Sequence, residues 1–208
     1  MAEVRVKLGQ WVHAHLLEWW NSHYERLVAD RKHHLLGDLS GEVMEIGAGT
    51  GPNLAFYPPG VSLTAVEPNP YMHHYLRRKA DALGLPLEIQ QHVAERIPAE
   101  SDRFDAVVST LVLCSVQQPA AVLAEIRRVL KPGGRFVFIE HVAADAGSST
   151  RRRQEWIRPL CQCLADGCHP DRETWRMIDE AGFRHVSYSR FRLDLPVVGP
   201  HIAGYAVK

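Results

Sequence analysis

Glycine occupies every second position from Gly47 to Gly51, directly after the apolar stretch Val43-Met44-Glu45-Ile46. A second apolar stretch, Leu63-Thr64-Ala65-Val66, ends in an acid, Glu67. Glycines let a loop take left-handed backbone angles and let a ligand pass close to bare main chain. A carboxylate at the tip of the next strand is placed to accept hydrogen bonds from ribose hydroxyls. Strand, glycine loop, helix and acid-tipped strand make one half of a nucleotide-binding α/β fold.

The spacing selects the nucleotide. A dinucleotide site uses G-x-G-x-x-G, with the pyrophosphate on a helix N-terminus. Here the glycines stand at 47, 49 and 51, and position 52 is Pro. That is the spacing of S-adenosylmethionine (SAM) sites, where methionine and ribose rather than phosphates pass the loop. Pro52 suits the first turn of a following helix, because its missing N–H has no partner there anyway. A dinucleotide oxidoreductase is the weaker alternative, since no third glycine completes its fingerprint.

The elements that hold these residues follow from periodicity and punctuation. Residues 10–36 read as helical, with a break near Asn21-Ser22 and a stop at Gly37. Strands are expected at 42–46, 61–67, 85–92, 104–109, 135–141, 183–191 and 200–207. Helices are expected at 70–83, 119–130 and 171–181, with a looser segment at 145–168 that holds an Arg-rich helix. Strands alternating with helices require a parallel sheet with right-handed crossovers. The last two strands have no helix between them and must pair antiparallel. The expected fold class is therefore α/β: a Rossmann-like, doubly wound, seven-stranded sheet, mostly parallel with a C-terminal antiparallel strand. Residues 1–208 form one domain in this reading, with a helical cap at 1–40, a core at 41–208 and a helical insert near 148–168.

Composition narrows the partners. Lys+Arg and Asp+Glu balance at 24 each, so the excess of cations that drives non-specific nucleic-acid binding is missing. Arg151-Arg152-Arg153 reads as a solvated helix face. No apolar run approaches the roughly 20 residues of a membrane span. The amphipathic stretch Trp11–Trp20 leaves peripheral membrane contact open, although packing over the cofactor or substrate is preferred. The cysteines, Cys114, Cys161, Cys163 and Cys168, lack the spacing of zinc or redox pairs, so no metal is expected. Free thiols in a reducing cytoplasm are the default.

The chain resembles class I SAM-dependent methyltransferases over almost its whole length. Glu45-Ile46-Gly47-Ala48-Gly49-Thr50-Gly51 resembles the first motif of that superfamily, and Leu130-Lys131-Pro132-Gly133-Gly134 the turn before its fifth strand. Other segments are similar to the methyltransferase-like alkyl-thiol methyltransferases. They are Phe56–Gly60, Glu67–Pro70, Thr110–Val116, Glu140–Ala143, Asp166–Cys168, Gly199–Ile202 and Gly204–Lys208. Animal members of that family methylate small thiols and carry an N-terminal hydrophobic anchor. No such anchor is evident here, which implies a soluble relative.

The resemblance implies backbone contacts from Gly47, Ala48 and Gly49 to the methionine part of SAM, with Glu45 and Asn53 in the same set. Glu67 is expected on the ribose, Pro68, Asn69 and Met72 beside the adenine, and Ala94-Glu95 at the adenine edge. Thr110 and Leu111 would line the methyl-donor side. Tyr24 either closes over the SAM carboxylate or is a half-buried core residue. His141 is either the base that takes the acceptor's proton or a structural histidine; Glu140 orients a neighbour, and His201 and Asp166 can also reach the cleft. Cys114, inside an apolar run, reads as a packing residue. The acceptor is a small molecule, an alkyl thiol by resemblance, in a pocket built from Trp11, Trp19, Trp20 and Tyr24 and from residues around Trp156 to Leu164. The alternatives are C- or O-methylation of a quinone or natural product, and a SAM-binding regulator without turnover.

Overall fold

The computed structural model describes residues 23–208. After a helix over residues 23–36 (α1), the chain builds β1 (Glu42–Ile46), a short 3-10 turn (Leu54–Phe56), β2 (Ser62–Val66), α2 (Pro70–Leu83), β3 (Leu87–Gln90) and β4 (Phe104–Thr110). It continues through α3 (Pro119–Val129), β5 (Leu130–His141), α4 (Ser149–Leu164), α5 (Thr174–Glu180), β6 (His185–Arg192) and β7 (Pro200–Val207). The helix expected over 10–22, with Trp11, Trp19 and Trp20, lies outside the described residues.

The strands form one seven-stranded sheet in the order β3-β2-β1-β4-β5-β7-β6. Pairs among β1 to β5 are parallel, and β7 runs antiparallel to both β5 and β6. The expected antiparallel ending is present, with one refinement. β7 inserts between β5 and β6, so the hairpin folds back into the sheet instead of extending it. The order reverses between β1 and β4, which opens a crevice beyond their C-terminal ends.

Alternation along each central strand explains why both faces are covered. Met44, Ile46, Val107, Phe136 and Phe138 face one core layer with Ile126 of α3 and Ile178 of α5. Val43, Ala106, Val108 and Val137 face the other, with Leu76 of α2 and Leu36 of α1. Each large apolar side chain buried in this way contributes roughly 1.5–3 kcal/mol. Helix ends obey their residues: Asn69 Oδ1 accepts from Tyr71 N before Pro70 at the first turn of α2, and Gly84 closes that helix at φ +62°.

One core feature had no signal in the pattern of apolar residues. Lys32 is completely buried, and its ammonium donates to both carboxylate oxygens of Glu25 at 2.7 and 2.6 Å. Burial pulls the lysine pKa down, and the Glu25 charge opposes that fall. Removing one member of a buried pair strands the other. Lys32→Ala is expected to destabilise the fold by about 3 kcal/mol, read by urea unfolding. A loss below about 1 kcal/mol, the range of an exposed pair, would show that the pair holds nothing together.

Candidate active site

The C-terminal ends of β1, β2, β4 and β5 converge on a cavity of about 1050 Å³. Ligand sites commonly span roughly 300–1,000 Å³, so there is room for a cofactor and a second molecule together. The loop after β1 contributes Gly47, Ala48 and Gly49; the end of β2 contributes Glu67, Pro68 and Asn69; and α2 contributes Met72. Ala94 and Glu95 follow β3, Thr110 and Leu111 end β4, His141 ends β5, and Tyr24 reaches in from α1. Glu25, which the sequence did not single out, lines the same cavity.

The loop geometry explains the glycines. Gly47, Gly49 and Gly51 have φ of +59°, +55° and +79°. A Cβ on Gly47 would come within 2.6 Å of Val112 Cγ2, so that glycine is needed by the protein itself. A Cβ on Gly49 would meet no atom of the described residues within 4 Å. Gly49 therefore borders open cavity, where its bareness serves whatever lies there. Three non-glycine residues that line the same cavity, Leu111, Asp166 and Val197, also hold left-handed angles of +59°, +48° and +64°. Such strain persists only where surrounding structure enforces it, and it gathers at functional sites.

Glu67 locks the loop in place. Its Oε2 accepts from Gly49 N at 2.9 Å and its Oε1 from Asn69 N at 2.8 Å. Burial raises its pKa, and these two backbone N–H groups pull it back. The carboxylate thus stands at the cavity wall with lone pairs left for hydroxyl donors. Glu95 lines the cavity while its side chain ties to the next segment: Oε1 accepts from Gln117 N and Gln118 N at 3.0 and 3.4 Å, just before α3.

Two residues expected on the cofactor lie behind the wall instead. Glu45 and Asn53 are buried and do not line the cavity. Asn53 Nδ2 donates to Glu45 Oε1 at 2.8 Å and to Thr110 Oγ1 at 3.1 Å, and the Tyr57 hydroxyl donates to Glu45 Oε2 at 2.7 Å. The physical reason is strand alternation: Glu45 shares the face of Val43, beneath the loop. These bonds brace β1 against β4 from the rear.

Burial pushes the Glu45 carboxyl from 4.5 to about 7, with Tyr57, Lys32 and Asn53 resisting the rise. A raised carboxyl pKa means the folded state holds a proton that the unfolded chain has released. The stabilisation is full below pH 4.5 and is lost as pH rises to about 7. Glu45→Gln is expected to remove that fall, so the stability of the wild type relative to the variant declines across this window. Chemical denaturation at several pH values reads it, and a difference that does not change with pH contradicts it.

The far wall of the cavity holds a group of side chains drawn from distant segments. Cys168 Sγ lies 3.3 Å from His141 Nε2. Cys114 Sγ joins them, so that the ligand atoms of Cys114, His141 and Cys168 all lie within 4.8 Å of one another. His169 N donates to Cys114 O at 2.9 Å, which pins the Asp166–His169 loop onto the segment after β4. Gly167 is required there, because a Cβ would press to 3.1 Å from Ser115 O. Hydrogen bonding from Cys168 holds the Cys114 thiol well below the usual range against the cost of burial, with His141 assisting. Cys168 is pushed up correspondingly. Burial opposes a charge on His141, but Cys114 and Glu140 outweigh it and its pKa rises.

Glu140 is buried beside this group and ties β5 to the end of β4. Its Oε1 accepts from Ser109 Oγ at 2.6 Å and from Val112 N at 3.2 Å, and burial drives its pKa up to about 8. Gln154 of α4 is fully buried and ties two loops, the one after β5 and the one between β6 and β7: Ala144 N donates to it, and its amide donates to Val142 O and Val197 O. His201 Nδ1 lies 2.9 Å from Gly199 O, so the proton belongs on Nδ1 and Nε2 is left as an acceptor. That Nε2, His141 Nδ1 and the Tyr24 hydroxyl are buried without hydrogen-bond partners among the described residues. The Tyr24 and His201 rings lie 5.7 Å apart, and the His141 and His201 rings 6.3 Å apart.

The expected acceptor wall near Trp156–Leu164 is only half present. Ile157 and Cys161 line the cavity. Trp156, Leu160 and Leu164 are 83%, 54% and 70% exposed, on the opposite side of α4. Helical spacing places 156, 160 and 164 on one stripe and 157 and 161 on the next. The sequence could not say which stripe faces inward.

Comparison with known proteins agrees with this fold. A family model described as a methyltransferase domain matches residues 44–138. The thiol S-methyltransferase TMT1B of Rattus norvegicus is 44% identical over 183 residues, covering 83% of this chain and 74% of that protein. The thiol S-methyltransferase TMT1A of Homo sapiens is 38% identical over 199 residues, covering 89% and 81%. Among solved structures, a SAM-dependent methyltransferase from Thermotoga maritima, described as a possible histamine N-methyltransferase, superposes with a TM-score of 0.63. It is 20% identical and covers 93% of this chain and 99% of its own. The [4+2]-cyclase SpnF shares the fold at a TM-score of 0.69 and 18% identity, over 88% and 80%. The fold therefore does not decide the chemistry, but sequence identity over most of the chain decides the family. The chain is a SAM-dependent methyltransferase and belongs to the family that contains the mammalian thiol S-methyltransferases.

Proposed function

We propose that this enzyme transfers a methyl group from SAM to the sulfur of a small alkyl thiol, giving a methyl thioether. One observation carries the reading. The relatives that cover most of this chain at 38–44% identity are thiol S-methyltransferases, and the same span folds here around a cavity that offers thiol-compatible groups opposite the glycine loop.

The residues fit the cofactor. Gly49 leaves a backbone cradle open to the cavity, and Glu67 presents a buried carboxylate beside it. Gly47, Ala48 and Gly49 would pass the methionine part, Glu67 the ribose diol, and Asn69, Met72 and Ala94 the adenine. Thr110 and Leu111 would border the methyl-donor side, with Tyr24 closing over the SAM carboxylate. When bound, SAM supplies an electrophilic methyl group on a positively charged sulfur. The protein then needs to align the acceptor, exclude water and leave the acceptor sulfur as thiolate. His141 lines the cavity at the end of β5 and is the group proposed to leave the acceptor's sulfur as thiolate, directly or through a group that it holds. The far wall, with Leu195, Val197 and Ile157, gives the acceptor an apolar seat.

A cytoplasmic location belongs to the same proposal. Cys114, Cys161, Cys163 and Cys168 are all free thiols, as a reducing compartment keeps them. No helix among the described residues is long and apolar enough to cross a membrane.

The test is an acceptor panel of alkyl thiols, phenols and quinols, each incubated with purified protein and SAM. Methylation of thiols alone is expected. Methylation of a phenol or quinol with thiols untouched would replace this proposal.

A further inference from the structure

The geometry points to a divalent-cation site of the zinc class: we propose that Cys114, His141 and Cys168 hold one such ion, and that its fourth position takes the acceptor thiolate. The inference rests on the proposed thiol methylation and adds a cofactor to it.

Three observations support the site. First, the donor set is two thiolate sulfurs and an imidazole, the Cys2His combination of catalytic zinc sites that keep one position open. Second, the spacing is close to what a tetrahedron needs. With Zn–S near 2.3 Å and Zn–N near 2.0–2.1 Å, adjacent ligands stand about 3.6 Å (N to S) and about 3.8 Å (S to S) apart. His141 Nε2 and Cys168 Sγ are 3.3 Å apart, and all three donor atoms fall within 4.8 Å. Closing on an ion takes only small side-chain movements. Third, the three side chains are buried yet line the cavity that also holds the glycine loop. The ion's open side would face the place where an acceptor must lie.

The donors come from three places: the segment after β4, the end of β5 and the loop before α5. Sequence spacing between Cys114 and Cys168 therefore hides the set. The loop that brings Cys168 is fixed independently: Arg172 Nη1 donates to Val116 O at 2.9 Å, next to the His169–Cys114 backbone bond.

Chemically, two thiolates and a neutral imidazole bring the ion's two positive charges to zero. An acceptor R–SH binding as fourth ligand is deprotonated, as coordinated thiols are, and its proton leaves to solvent. The bound sulfur forms the new S–CH3 bond while the methyl–sulfonium bond breaks, and that electron pair returns to the cofactor's sulfur. The product thioether is neutral, a weaker ligand, and departs. His141 then acts through the ion and does not itself carry the proton.

The test uses the full-length reduced protein, stripped with chelator and titrated with Co2+. One equivalent is expected, with thiolate-to-cobalt charge-transfer absorption and the ligand-field bands of a tetrahedral ion. Adding an alkyl thiol should change those bands. Cys114→Ser and Cys168→Ser should each weaken uptake at least tenfold while SAM binding, measured by calorimetry, confirms an intact fold. Cys163→Ser, at an exposed thiol remote in role, should take up Co2+ as the wild type does. No uptake, or uptake without thiolate bands, overturns the site. Uptake whose bands ignore the thiol overturns its role in binding the acceptor. Full thiol turnover in excess chelator would remove the metal and leave the thiol reading standing. Metal uptake with methylation of phenols only would do the reverse.

Discussion

Glu67→Ala is expected to lower the affinity for SAM by about 100-fold, with the chain still folded. A hydrogen bond to an ionised acceptor contributes roughly 1.5–3 kcal/mol, and a ribose diol offers two. Part of that is recovered by water, so a net loss near 2.7 kcal/mol, or about 100-fold, is the expected scale. The structure adds a second route to the same loss. Glu67 accepts from Gly49 N and Asn69 N, so its removal frees the glycine loop and the start of α2 together. Glu67→Gln separates the two contributions. One amide oxygen can still accept, but the charge is gone, so an intermediate loss is expected. Calorimetric titration with SAM reads both. An affinity for Glu67→Ala within threefold of the wild type would show that the ribose does not meet this carboxylate.

His141→Ala should behave in the opposite way, losing turnover by about 100-fold or more with little change in SAM affinity. His141 stands at the end of β5, against Cys168 and across the sheet register from His201. The glycine loop, Glu67 and Asn69 are separate from it, so cofactor binding has no reason to suffer. Whether it takes the acceptor's proton or holds an ion whose charge drives that proton to solvent, the loss falls on methyl transfer. Rapid-quench measurement of a single turnover at saturating SAM would isolate that step. A variant that transfers at the wild-type rate would return His141 to a purely structural role. A variant that loses SAM affinity and turnover equally would place it in the cofactor's seat.

Much of this was legible in the residues. The alternation of Val43-Met44-Glu45-Ile46 and the glycines after it fixed β1 and its loop. Gly84 and Pro119 marked helix ends where the structure has them. The lack of a helix between β6 and β7 forced an antiparallel pair. Local pattern could not report where β7 inserts, because that depends on the register of strands far apart in sequence. The same limit governs the site. Glu67 was visible because strand, loop and acid are neighbours in one unit. The Cys114–His141–Cys168 group was invisible because its members meet only when the loop before α5 folds over the segment after β4. Glu45 lies outside the cavity lining for a different reason: a motif identifies a loop, but the two-residue period of the strand decides which of its side chains face the cavity. Lys32 shows the converse, a charge on a helix whose burial depends on one partner, Glu25, seven residues earlier.

The central claim is that this cavity moves a methyl group from SAM to a thiol sulfur. The most direct measurement supplies SAM labelled with a trideuteromethyl group and a simple alkyl thiol, and follows both products by mass spectrometry. S-adenosylhomocysteine and the deuterated methyl thioether are expected to appear together in equal amounts. SAM that binds and is never consumed, or S-adenosylhomocysteine that accumulates without the labelled thioether, would contradict it.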